Sequence, residues 1–379
     1  MIERKIVNKS ILARALGGAI LALAAQHSFA QSSVTLYGIV DTSIRYLTNA
    51  NAANDSQTAM GVGPITGSRW GLKGNEDLGG GLSAIFRLEN GFNLWNGGFA
   101  SAGTEFNRMA YVGLASKQYG TLTFGRQNTP LFDQLGNSFD PLTVGNYDQD
   151  SFLPVAAGYG LRSNNSVKYN GTFAGVNLDA MYGFGNTAGS AGANNMYGFT
   201  LTYTFAKLSM LAAYQQNSDA ANRKFRSAVV GATYSITDAV KAYAGYMHFQ
   251  DNTGMVEVFN GAAGSAAATI GASAVGHGIL NANRIDDGFY AGATYQVTAP
   301  LMVSAAYYYD HARNAEYSNG TLGRSQRYSA VLIAEYALSK RTEVYGTVDF
   351  QRGTGAAASM DFPGRNNQTG VAVGLRNVF

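Results

Sequence analysis

Tyr197-Gly198-Phe199-Thr200-Leu201-Thr202-Tyr203-Thr204-Phe205 alternates large apolar side chains with glycine and threonine. Successive side chains of a β-strand point to opposite faces, so this stretch has one apolar and one small, polar face. The same period runs through Val176, Leu178, Ala180, Tyr182 and Phe184. It recurs in Phe289, Ala291, Ala293, Tyr295 and Val297, and in Leu301, Val303, Ala305, Tyr307 and Tyr309. Working outward, sixteen strands are predicted, near 33–47, 66–75, 81–93, 107–116, 119–126, 162–170, 174–185, 194–206, 207–217, 222–236, 239–251, 284–297, 300–311, 326–338, 342–351 and 367–379.

The connectors alternate strictly between short and long. Short ones include Asp77-Leu78-Gly79-Gly80-Gly81, Asn170-Gly171-Thr172 and Thr298-Ala299-Pro300. The long ones are 48–65, 94–106, 127–161, 185–194, 217–222, 252–283, 312–325 and 352–366. All 6 prolines fall in connectors, where no ladder hydrogen bond is lost.

Composition narrows the class. Only 13% of the 379 residues are charged, about half the usual quarter, while Tyr and Phe number 23 and 20. Zero cysteine excludes disulfides, Cys-ligated metal and a cysteine nucleophile. Residues 1–30 read as a signal peptide. Arg4, Lys5, Lys9 and Arg14 precede the apolar run Ala15–Ala25, and Ser28 and Ala30 stand at the −3 and −1 positions of a cleavage site. That run falls well short of the ~20 residues that span a bilayer. The mature chain, 31–379, sums to zero charge, with none of the cationic surplus that a nucleic-acid binder needs.

No later stretch is apolar enough for a membrane helix. Two-faced strands with alternating short and long connectors instead fit an outer-membrane barrel, whose apolar face meets lipid and whose polar face meets lumenal water. Closure satisfies the backbone groups that an open sheet would leave bare in hydrocarbon. Sixteen strands keep the interior open as an aqueous channel. Tyr197 and Phe205, and Tyr328 and Tyr336, bracket apolar stripes as girdle aromatics would. The last strand carries Val371, Val373 and Leu375 and ends on Phe379, the form of a barrel-insertion signal. Both termini are expected on one side, with loops 48–65, 127–161 and 252–283 on the other.

Four stretches carry a family resemblance. They are Ser32-Ser33-Val34-Thr35-Leu36-Tyr37-Gly38-Ile39-Val40-Asp41, Gly67-Ser68-Arg69-Trp70-Gly71-Leu72-Lys73-Gly74-Asn75-Glu76-Asp77-Leu78-Gly79-Gly80-Gly81-Leu82, Phe124-Gly125-Arg126-Gln127 and Gly374-Leu375-Arg376-Asn377-Val378-Phe379. The mature chain resembles the trimeric general-diffusion porins of Gram-negative bacteria, in their β-proteobacterial branch. The family usually has His where Asn377 stands, a departure that bears on assembly. The resemblance implies an all-β, 16-stranded antiparallel transmembrane barrel of the outer membrane whose third long loop folds inward as a constriction. It implies a homotrimer in contact with outer-membrane lipid and lipopolysaccharide. The cargo would be small hydrophilic solutes and ions, diffusing passively, with no cofactor, metal or nucleic acid.

The same resemblance assigns Arg69, Arg108 and Arg162 to a basic wall, with Glu89 as its acid. Loop 127–161, with Asp133, Asp140, Asp148 and Asp150 and no Lys or Arg before Arg162, would face it. Strand parity sets Arg69 with Lys73, Arg87 with Glu89, and Arg162 with Asn164, Ser166 and Lys168. Arg108 breaks parity with Val112 and Leu114; Arg45 and Arg126 are further pore-lining candidates. A basic eyelet favours anions weakly here, since the aspartates offset it. The rival readings are a substrate-selective channel of the same fold, an adhesive barrel and a barrel enzyme. An adhesive barrel would need a plugged lumen or a passenger domain, and strand one starts directly after the signal. For an enzyme only His248, His277 and His311 remain after the signal, without a Ser-His-Asp pattern. Gly38, Val40 and Thr42 are small where lipid-facing residues are usually bulky, which points to a subunit interface built from the first strands and the last.

Overall fold

The computed structural model describes residues 33–143, 160–256, 283–317, 321–360 and 364–379. The signal segment 1–30, Asp148, Asp150 and His277 lie outside the described residues. The strands are β1 (Ser33–Leu47), β2 (Gln57–Val62), β3 (Arg69–Gly79), β4 (Leu82–Gly91), β5 (Met109–Ser116), β6 (Gly120–Asn128), β7 (Arg162–Phe173), β8 (Val176–Gly183), β9 (Met196–Phe205), β10 (Leu208–Ser218), β11 (Lys224–Ser235), β12 (Val240–Asp251), β13 (Arg284–Gln296), β14 (Leu301–Glu316), β15 (Leu322–Ala337), β16 (Thr342–Gly355) and β17 (Asn367–Val378). Each pairs antiparallel with its sequence neighbours from β3 onward, and β1 pairs with β17 from Ile39 opposite Val378 to Leu47 opposite Gly370. The sheet is closed.

β2 and β3 lie end to end along β1, β3 against Ser33–Ile39 and β2 against Thr42–Leu47. Seventeen segments therefore make sixteen positions round the barrel. The predicted loop 48–65 is shortened, because 57–62 is strand; six residues are too few for alternation to be read, and pairing to β1 holds them. Between β2 and β3 the ladder breaks, and Asp41 fills the gap. Its buried carboxylate accepts from the backbone N–H of Thr66 at 3.0 Å and from the Tyr345 hydroxyl. Its own N–H donates to Ser68 Oγ at 2.9 Å. The backbone groups that the break would leave bare are thus satisfied by side chains.

The connectors keep the predicted rhythm. Those at 80–81, 117–119, 174–175, 206–207, 236–239, 297–300 and 338–341 share one end, and none at the other end is shorter than 219–223 or 317–321. One turn is displaced from its prediction. Asn170, Gly171 and Thr172 remain in β7, paired to Asp179, Leu178 and Asn177. The reversal falls on Ala174 and Gly175, at φ 50° and 83°, the left-handed pair that a two-residue hairpin requires. β14, β15 and β16 also run past their predicted ends, so the connector 312–325 shrinks to 317–321. There the ladder continues where neither face is apolar, and hydrophobic period carries no signal.

Outward residues Val230, Leu332 and Val348 are 54%, 50% and 49% exposed, while their inward neighbours Val229, Ile333 and Asp349 are buried. In water such an apolar exterior would be a liability; against lipid it is the required surface. At the seam, Gly38 and Phe379 exchange backbone hydrogen bonds at 3.0 Å, and the Phe379 ring lies against Gly38. The small residue there makes room within its own chain. Asn377 donates to Thr342 Oγ1 at 2.8 Å. Replacing Asp41 by Ala should destabilise the folded barrel by about 1–3 kcal/mol, since Tyr345 and the Thr66 amide lose their buried acceptor. A lowered urea midpoint in detergent, with unchanged oligomer size, is the expected result.

Candidate functional site

The inner face of β1, β3 and β4 builds a charged wall from a simple register. Tyr37 stands opposite Gly71, and Gly71 opposite Glu89, so the three share one face. A Cβ at position 71 would lie 2.7 Å from the Tyr37 hydroxyl and 2.5 Å from the Leu88 carbonyl oxygen. Glycine there lets Tyr37 cross over β3 and donate to Glu89 Oε2 at 2.7 Å. Arg87 reaches the same oxygen at 2.5 Å and donates to the Tyr37 hydroxyl at 2.6 Å. Arg108 takes the other oxygen at 2.6 Å. Glu89 is fully buried under these partners.

The wall holds more cations than this one carboxylate offsets. Among the described residues, Arg69 donates through Nε only to the carbonyl of Gly67, at 3.0 Å. It sits in the field of Arg108, Arg87 and Arg376. Arg162 feels Arg108, Arg126 and Arg69, and its guanidinium lies 5.4 Å from the centre of the Phe132 ring. Glu89 is the carboxylate acting on both. Arg126 donates to Asn107 O at 2.8 Å and to Asn164 Oδ1 at 2.6 Å. Lys73 lies over the Tyr37 ring at 5.5 Å.

After β6 the chain turns inward. Thr129 caps the short helix Pro130–Gln134, its side chain accepting from Phe132 N, and proline occupies the first turn, where no N–H is needed. A π-helical turn follows at Leu135–Phe139. Leu131, Leu135, Phe139 and Leu142 recur at helical spacing and are buried against Leu211, Val229, Met247, Phe249, Tyr290 and Tyr308 of β10–β14. Each such side chain contributes roughly 1.5–3 kcal/mol by leaving water. Gly292 on β13 gives room for Pro141, whose ring would be 2.6 Å from a Cβ there. Asp140 accepts from the Tyr308 hydroxyl at 2.6 Å. At its root the segment is tied by Asp133, which pairs with Lys168 at 2.5 Å and accepts from Asn128 at 2.7 Å. Asp179 reaches the same ammonium at 3.1 Å.

Arg69, Arg87, Arg108 and Glu89 thus form one cluster, with Arg162 beside it and Arg126 at its edge. Arg45 is apart, bonded to Asp349 at 2.6 Å across β17. Asp133 and Asp140 are engaged with Lys168 and Tyr308. Parity misleads at two positions. Arg108 precedes β5 and lies outside its ladder with β4, which ends at Glu89 opposite Met109, so Val112 and Leu114 do not fix its direction. The register of β6 against β7 shifts between Gly125 and Gln127, and Asn165 takes φ 49°, so Arg162 and Lys168 share no unbroken face. Tyr37 and Tyr308 were missed because a tyrosine in a strand reads as a girdle residue. The signal for Tyr308 is the run Tyr307-Tyr308-Tyr309, which places an aromatic on the inner face whatever the register.

The family profile described as Gram-negative porin matches residues 17–356. An outer membrane porin protein of Bordetella pertussis is 31% identical, over 96% of this chain and 99% of its own length. Outer membrane porin protein 32 of Delftia acidovorans is 31% identical, over 93% and 95%. The anion-selective porin from Comamonas acidovorans superposes with a TM-score of 0.72 at 25% identity, covering 92% of this chain and 100% of that one.

Lys168→Met leaves the buried Asp179 and the half-buried Asp133 without their cation, at a cost of about 3–5 kcal/mol. The expected readout is faster amide exchange across 128–142 and a lower unfolding midpoint.

Proposed function

The chain belongs to the Gram-negative porin family, and on that premise we propose which way its channel selects and where. It is an outer-membrane porin, a passive channel and not an enzyme. The selecting region is the gap between the arginine wall, carried by β3, β4 and the residues that open β5 and β7, and the segment 130–142 packed on β10–β14. The observation that carries this is the imbalance at the wall. Among the described residues, Arg69, Arg87, Arg108 and Arg162 lie in the field of one carboxylate, Glu89. An anion entering the gap exchanges hydration for guanidinium hydrogen bonds, and a cation meets uncompensated positive charge. Screening at 0.1 M salt acts over about 10 Å, so the preference persists in a narrow gap and fades in a wide one. Lys168 between two carboxylates leaves that group one charge negative, which keeps the anion preference weak.

Residues 1–30 act as a signal removed after Ala30, and 31–379 form the barrel. The long connectors face the outside, both termini the periplasm, and lipopolysaccharide surrounds the outer rim. The barrel works as a homotrimer. Its interface takes the apolar groove on the outer face at the seam, lined by Ile44, Met60, Leu301, Val344, Val373 and Leu375.

Replacing Arg69, Arg108 and Arg162 together by Ser should move the zero-current potential in a salt gradient towards cations, with the oligomer intact. An unchanged potential would mean that these side chains do not line the narrowest part of the pore. Sedimentation in mild detergent should give three chains per particle, and Ile44→Lys with Val373→Lys should yield monomers that still conduct.

A further inference from the structure

On the outer face, β12 to β16 carry a row of residues set directly opposite one another: Tyr246, Phe289, Tyr309, Tyr328 and Arg352. The rings are in contact, with centroids 4.9, 6.4 and 5.1 Å apart. Such a row marks the level where hydrocarbon gives way to headgroups. The fifth position is not aromatic but a guanidinium. Arg352 is exposed, and among the described residues it has no hydrogen-bond or ion-pair partner.

Arg352 stands at the rim of a cleft of about 390 Å³ whose floor is Tyr307, Tyr328, Ala330 and Phe350, with Thr354 beside the arginine. All four floor residues share the lipid-facing parity of their strands. Nearer the long-connector end the same surface is cationic. Arg324 is exposed, and its side chain likewise has no partner among the described residues. Among the described residues, Arg226 is bound by the neutral side chains of Gln216, Gln250 and Tyr214. His248 and Arg313 share one carboxylate, Asp287. Asp251, Asp286, Asp310 and Asp349 on these strands are buried on the inner face, and Glu316 stands at the tip of β14. Among the described residues, no carboxylate pairs with Arg352 where the cleft opens.

We propose that this cleft binds a phosphate-bearing lipid of the outer leaflet, one acyl chain on the aromatic floor and its phosphate on Arg352, with Arg324 about 13 Å further along the strand direction meeting a second anionic group. The apolar floor at hydrocarbon depth and the cation at headgroup depth match the two halves of such a molecule. Neither half alone would select it. The site rests on the reading that the long connectors face outwards, and it is separate from the lumen.

Native mass spectrometry of the purified oligomer tests it, titrated with bis-phosphorylated lipid A and with the same lipid freed of phosphate. Arg352→Gln should weaken the phosphorylated lipid about fivefold, the effect of one cation at an anionic surface, and leave the phosphate-free lipid unchanged. Arg352→Lys should restore most of the loss. Ala330→Trp, which fills the floor, should weaken both lipids. Binding by the double variant Arg324→Gln, Arg352→Gln within twofold of the parent overturns the proposal, as does equal binding of the two lipids by the parent. Ion conductance is recorded on the same preparations. A channel that conducts normally yet ignores the phosphate sinks the lipid site and leaves the porin reading standing.

Discussion

Hydrocarbon offers no hydrogen bonds, so each backbone N–H and C=O that a strand carries into the membrane must be paired by its neighbour. The rest of the molecule follows from that demand. It forces β1 onto β17, and because that pairing is antiparallel the number of positions round the barrel is even and both ends emerge on the same side. It also explains why the break between β2 and β3 is lined by Asp41, Ser68 and Thr66. Side-chain oxygens there do the work of a missing strand. Seen this way, the long motif around Arg69 is half structural: Ser68 closes the ladder so that Arg69 can begin the next one on the lumenal face.

A closed barrel of sixteen strands leaves an interior too wide to be filled by its own side chains. The chain narrows it with residues that the sheet does not use. The segment 130–142 brings its own apolar stripe, and the wall of β10–β14 answers with inward Leu211, Val229, Met247, Phe249 and Tyr290. A lumen is ordinarily polar; this half is apolar because a loop, not water, lies on it. The described residues of the half opposite are charged, so the interior is divided into a packed half and a charged half.

Much of this was legible in the sequence. Strands with one lipid face betray themselves by period, as Tyr197 to Phe205 does, because hydrocarbon tolerates no polar side chain there. Connectors betray themselves by length, because only one end of the barrel must be turned tightly. The site was less legible. Arg69, Arg87 and Glu89 could be placed on one face because β3 and β4 are regular, whereas Arg108 and Arg162 sit beside a ladder end and a bulge, where counting by two fails. The apolar inner wall was hidden for a different reason. Residues such as Met181 and Met247 fall on the face read as polar, and a single sequence gives no sign that a distant loop will cover that face.

The Tyr37–Gly71–Glu89 arrangement shows how a fold can hold charges ready for a solute. A free arginine cluster would repel itself, and its side chains would spread into solvent. Glu89, buried and bonded to Tyr37, Arg87 and Arg108, draws two guanidiniums into fixed places without cancelling the cluster. Removing the carboxylate would add net positive charge but release the geometry; adding another would keep the geometry but erase the selectivity. One acid among several arginines lies between these limits. The weak anion preference proposed for this pore rests on a wall whose described cations are ordered but not neutralised.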